Sequence, residues 1–215
     1  MSQTLRTLRQ TVGAPTLIVM LPGAYMTPAD YEAQGFFSAI ARRQLAVDLV
    51  AVDLDLGAIS AGTALPALQA EILQPARAQG YKKIWLGGIS LGGLLALCHN
   101  ADQPGGIDGL CLLAPYPGSR LTTNAIARAG GMRQWQPSAE EMGDPEFRAW
   151  HWLQKPPAGF PVYVGYGSED RFAEGMKQIA ECFPPADTRA ISGGHDWPVW
   201  QLLWEHFLDC GYLSA

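Results

Sequence analysis

Charge is scarce in this sequence. Only 16% of its 215 residues are Asp, Glu, Lys or Arg, and the formal balance is -5. No basic stretch stands out, so nucleic acid is not an expected partner. An acidic surface also disfavours adhesion to anionic membranes. Cysteine is rare too. Cys98, Cys111, Cys182 and Cys210 are widely spaced, with no C-x-x-C pair and no Cys/His ligand spacing. Neither a metal site nor a disulfide framework is indicated, and Cys98 and Cys111 read as core residues. Long apolar runs are absent. The first, Thr16 to Leu21, is far too short to cross a bilayer and ends at Pro22-Gly23, and residues 1–13 are polar with no signal-like core. The expectation is a cytoplasmic protein without membrane insertion.

What is present is apolar and regular. At 48% hydrophobic residues the chain has enough to bury a sizeable core in one domain. Continuous apolar runs at 16–21, 48–53, 83–87, 110–114 and 162–166 read as strands buried on both faces, and 188–192 as a last, weaker one. Helical patterns lie between them at 28–43, 64–79, 91–101, 171–182 and 198–208, with Gly80 as the stop of the second. Strand–helix alternation predicts right-handed crossovers and a mostly parallel sheet covered on both faces. Residues 116–160 interrupt the alternation with Pro, Gly and two short helical stretches, and read as a cap-like excursion over the sheet edge. Met132, Trp135, Met142, Phe147, Trp150 and Trp152 make it rich in large apolar groups. Most of these are expected to pack it onto the body, with one or two lining an apolar acyl pocket.

The stretch that carries chemistry is Gly88-Ile89-Ser90-Leu91-Gly92, a G-x-S-x-G between the run Ile84-Trp85-Leu86 and the helical Leu94-Leu95-Ala96-Leu97. A serine at a strand-to-helix corner is held with its hydroxyl clear of the sheet edge, and small flanking residues let strand and helix approach. The helix start also favours a developing negative charge. A serine needs a base, and the base an orienting acid. Of the four histidines, His99 lies two turns into the next helix and should point away. His151 sits in the excursion, and His206 inside the last helix. His195, in the loop Ser192-Gly193-Gly194-His195-Asp196, falls on the carboxyl-end rim that Ser90 shares. The acid is expected in Gly167-Ser168-Glu169-Asp170 after the fifth strand, with Asp170 preferred and Glu169 the alternative. Asp196 reads as a helix N-cap, and Asp53 as a loop-capping carboxylate. Two backbone N–H groups should receive an oxyanion: Leu91, after the nucleophile, and Ala24, in the loop Leu21-Pro22-Gly23-Ala24-Tyr25.

With these four loops in the order Pro-Gly loop, Ser, Asp, His, the chain resembles the α/β-hydrolase superfamily, in particular its small serine carboxylesterase- and thioesterase-like members. The resemblance implies an α/β-hydrolase fold, a Ser90–His195–Asp170 triad and no metal or cofactor. Two departures stand out. Pro22 occupies a position where the family often has His, so the oxyanion loop must be ordered in another way. The segment before the first apolar run has room for one short strand at most, around 5–11, which predicts a reduced sheet of six or seven strands. The substrate expected is a small acyl ester or thioester, with a short- to medium-chain or aromatic acyl group. Arg120, Arg128 and Arg133 are candidates to contact any charge on it. Transfer of the acyl group to an alcohol, amine or peroxide is a second reading, and a non-catalytic binding protein on the same fold a third.

Overall fold

The computed structural model describes residues 4–213. Seven strands form one sheet: β1 (Thr7–Gln10), β2 (Thr16–Leu21), β3 (Val47–Val52), β4 (Lys83–Ile89), β5 (Gly109–Leu113), β6 (Val162–Gly167) and β7 (Thr188–Ile191). Their order across the sheet is β1-β3-β2-β4-β5-β6-β7, with β1 antiparallel to β3 and all other pairs parallel. The short strand expected near the amino terminus is β1, at the trimmed edge. Strands β2, β3 and β5 are buried at every position, as their largely apolar content suits a sheet covered on both faces.

The helices follow the expected order with two corrections. The pattern over 28–43 forms two helices, α1 (Pro28–Ala33) and α2 (Phe36–Arg42), because Gly35 takes a left-handed φ of 81° that ends one and starts the other. The pattern over 64–79 forms α4 (Ala64–Leu68), a π turn (Gln69–Leu73) and α5 (Gln74–Ala78). Pro75 cannot donate to the Glu71 carbonyl, and the wider turn precedes it. A short α3 (Leu56–Ser60), which the apolar pattern did not mark, comes before α4, its N-cap Asp55 accepting from Ala58 N–H at 3.0 Å. The remaining helices are α6 (Leu91–Asp102), α7 (Arg120–Arg128), α8 (Pro145–Leu153), α9 (Ala173–Ala180) and α10 (Trp197–Asp209).

Two apolar layers sandwich the sheet. On one face Leu68, Leu73, Leu97, Phe147 and Trp150 pack against Leu86, Leu110 and Val164; on the other Phe36, Ile40, Trp204 and Phe207 pack against Ile18, Trp85 and Tyr163. Each fully buried aliphatic or aromatic side chain contributes about 1.5–3 kcal/mol relative to exposure. Residues 116–160 are tied into the first layer. Trp135, Phe147 and Trp150 are buried in it, and Trp150 Nε1 donates to the Pro117 carbonyl at 2.8 Å.

His99 lies inside the first layer, 1% exposed. Its Nε2 donates to Gln69 Oε1 at 2.8 Å, while Nδ1 has no partner. Burial lowers its pKa from 6.5, against a weaker opposing pull from Asp102. Below pH 6.5 the unfolded chain therefore binds a proton that the folded chain refuses. This contribution to stability is intact above that pH and is lost as pH falls toward the folded-state value, by at most about 1.4 kcal/mol per pH unit. The melting temperature of His99→Gln is expected to depend less steeply on pH below 6.5 than that of the wild type. Parallel curves would show that His99 does not contribute to the acid limb.

Candidate active site

The site is assembled where β2, β4, β5, β6 and β7 end. Strand β4 runs into Ser90, whose φ of 53° and ψ of -115° lie in a region that costs a non-glycine residue about 1–3 kcal/mol. Its surroundings leave it no alternative. Ser90 N–H donates to the Leu113 carbonyl at 3.0 Å, and its own carbonyl accepts from Gly93 N–H at 3.0 Å and Tyr116 N–H at 2.9 Å. The corner also needs missing side chains: a Cβ on Gly88 would lie 2.2 Å from the Gly92 carbonyl carbon, and one on Gly92 2.2 Å from the Leu21 oxygen.

Ser90 Oγ lies 2.8 Å from His195 Nε2, across 105 positions of sequence. His195 Nδ1 lies 2.5 Å from Asp170 Oδ2. The Asp170 side chain is fully buried, and its second oxygen accepts Phe172 N–H at 2.8 Å. With Nδ1 donating to the carboxylate, Nε2 is left to accept the serine proton. Two aromatic rings meet the imidazole edge-to-face, Phe172 at 5.5 Å and Trp200 at 5.1 Å between centroids. They limit its rotation about the two hydrogen bonds.

The two candidate carboxylates point in different directions. Glu169 turns away and accepts from Ser192 Oγ at 2.6 Å, so Asp170 alone reaches His195. The other histidines stay apart. His99 pairs with Gln69, His151 is exposed, and His206 lies within hydrogen-bond distance of Tyr163 and Cys210. Asp196 caps α10, accepting from Val199 N–H at 3.3 Å. Asp53 pairs with Arg6 at 2.5 Å.

The loop at Pro22-Gly23 is ordered without a histidine. Tyr31 on α1, fully buried, donates its hydroxyl to the Leu21 carbonyl at 2.6 Å. Gly23 N–H points to Met26 Sδ at 3.2 Å, and Met26 N–H closes a turn onto the Gly23 carbonyl at 3.1 Å. That turn puts Tyr25 at a φ of 64°. Among the described residues neither Ala24 N–H nor Leu91 N–H has an acceptor, so both are free for an incoming oxygen. Tyr31 and Met26 are the supports that sequence reasoning missed. The signal was Tyr31 as the buried position of a short helix that directly follows the Pro-Gly loop.

The fold has counterparts among known proteins. The profile of the alpha/beta hydrolase family matches residues 18–209. The chain belongs to that family. An alpha/beta hydrolase enzyme from the metagenome of sediments of the lagoon of Mar Chica, Morocco, superposes with a TM-score of 0.64 at 18% identity, covering 99% of this chain and 98% of that one. A monoacylglycerol lipase from Paleococcus ferrophilus superposes with a TM-score of 0.61 at 16% identity, covering 98% of both chains. In sequence, a 2-succinyl-6-hydroxy-2,4-cyclohexadiene-1-carboxylate synthase from Enterobacter sp. (strain 638) is 29% identical over 131 residues, 58% of this chain and 51% of the relative. The match therefore spans about half the length of that curated relative.

Beside the hydrogen-bonded chain opens a cavity of about 1220 Å³, lined by Tyr116, Pro117, α7, residues 131–133, and the start and face of α9. Of the six large apolar residues noted in the excursion, only Met132 lines it. Trp135, Phe147 and Trp150 are core. Arg120 and Arg133 line it and Arg128 does not; Arg171, which the sequence did not bring forward, joins them. Among the described residues no three His, Cys, Asp or Glu side chains gather to ligate a metal, and no helix is long and apolar enough to cross a membrane.

Proposed function

We propose that this alpha/beta hydrolase family member cleaves a carboxylic ester or thioester through an acyl-enzyme on Ser90. The observation that carries the reading is the hydrogen-bonded run Ser90 Oγ–His195 Nε2–Asp170 at a strained strand-to-helix corner. Ser90 Oγ attacks the acyl carbonyl while His195 Nε2 takes its proton. Asp170 holds the imidazole tautomer and stabilises the imidazolium. The N–H groups of Leu91 and Ala24 receive the oxyanion. His195 then returns the proton to the leaving oxygen or sulfur. A water that gives its proton to the same nitrogen releases the acid and regenerates Ser90.

A fluorophosphonate probe tests the covalent step directly. The wild type is expected to be labelled at a single residue, identified as Ser90 by peptide mass mapping, and to show a burst of p-nitrophenol with activated esters. Labelling elsewhere, or none in folded protein, would remove the nucleophile from this account. The relative named as a synthase favours one second reading, in which the same three residues serve a reaction other than net hydrolysis. Transfer of the acyl group to an alcohol, amine or peroxide in place of water is the form this chemistry takes. Product analysis with competing nucleophiles separates it from hydrolysis.

A further inference from the structure

Two aromatic residues that line the cavity also contact Ser90 and His195. Tyr116 and Phe172 line it and meet edge-to-face at 5.1 Å. Tyr116 N–H is bonded to the Ser90 carbonyl, and the Phe172 ring touches His195. The walls beyond are apolar on one side, with Ile126, Met132 and Leu153.

The charges around the space are unbalanced. Arg120, Arg133 and Arg171 all line it, and among the described residues none of them is within ion-pair distance of a carboxylate. Of the two acidic residues that also line it, Glu174 and Glu181, the second is already matched by Lys177 at 3.9 Å. The Arg171 guanidinium carbon lies 4.7 Å from the centre of the Phe172 ring. Three arginines without a carboxylate partner thus line one cavity of a chain whose overall charge is -5. Arginine presents a planar fork that suits carboxylate and phosphate oxygens, and such charge-assisted bonds are about twice as strong as neutral ones.

We infer that the cavity binds an anionic group of the substrate, a carboxylate or phosphate, joined to the scissile carbonyl by an apolar spacer that lies across Tyr116 and Phe172. This rests on Ser90 being the nucleophile. The anion belongs either to the acyl part or to the leaving group, and paired substrates separate the two. One pair is p-nitrophenyl hemiadipate against p-nitrophenyl hexanoate. The other is an aryl acetate carrying a carboxylate on its alcohol side against the matching carboxamide. In one of the pairs the anionic member is expected to have a kcat/KM at least about tenfold higher at low ionic strength, the worth of one charge-assisted hydrogen bond. The ratio should shrink as salt is added. It should approach one in the double variant Arg120→Gln/Arg171→Gln and rise in Glu174→Gln, since the acidic residue opposes the ligand. The inference is overturned if both ratios stay near one at low salt, or if the ratio is indifferent to all three substitutions, while the fluorophosphonate probe still labels Ser90. If Ser90 is unlabelled and no ester turns over, the nucleophile assignment fails and this inference falls with it.

Discussion

Ser90→Ala is expected to lower kcat for p-nitrophenyl esters by about 10⁶-fold, and His195→Ala in the same background to lower it little further. The reason is geometric. With Oγ 2.8 Å from Nε2, the two side chains share one event in the proposed mechanism, transfer of the serine proton as the carbonyl is attacked. Removing either leaves the other with nothing to do, so their effects do not add. A residual acceleration of about 10³–10⁴ over water should remain, because the Leu91 and Ala24 N–H groups still receive the developing charge. Asp170→Asn is expected to cost about 10⁴-fold by favouring the wrong imidazole tautomer. Glu169→Gln, whose partner is Ser192, should leave the rate within a small factor of wild type. Single and double variants measured on one ester decide the matter. Additive losses for Ser90 and His195, or equal losses for Asp170 and Glu169, would break the proposed relay.

Gly92→Ala is expected to damage both stability and activity. The added Cβ would stand 2.2 Å from the Leu21 carbonyl oxygen and 2.8 Å from that of Pro22. Both are main-chain atoms at the end of β2, so no side chain can turn aside to make room. Either α6 moves off the sheet or the oxyanion loop moves off α6. Overpacking of a core typically costs about 1–3 kcal/mol and more when the backbone must shift. We expect a loss of about 3 kcal/mol, or roughly 6–12 °C in melting temperature for a chain of this size. Activity should fall beyond the folded fraction, since Ser90 and Ala24 lie on the two elements being pushed apart. Gly143→Ala, where a Cβ would have nothing within 4 Å, is the control and should melt within a degree or two of the wild type. Equal melting of the two variants would show that the corner tolerates a side chain.

Much of this site was written in short stretches of sequence. Strand–helix alternation set the parallel sheet, and Gly88 to Gly92 marked the corner. The glycine-rich loop around His195 and the turn ending at Asp170 fell where strands end. These features are legible because they are local: a tight corner demands small residues wherever it occurs, and a strand buried on both faces is apolar throughout. Local pattern also misled. The apolar spacing over 28–43 continues through Gly35, although the backbone there takes a conformation that no periodicity reports.

The residue types, their order along the chain and the loops that carry them were determined by the sequence alone. The tertiary structure places Asp170 rather than Glu169 against His195, because neighbouring side chains on a turn point in different directions. It decided how a loop with Pro22 is held, through Tyr31 and Met26, and which arginines line one cavity, adding Arg171 to Arg120 and Arg133. Each of these depends on where two segments distant in sequence are packed together. A side chain's direction and its neighbour's distance arise from that packing, and no spacing along the chain encodes them.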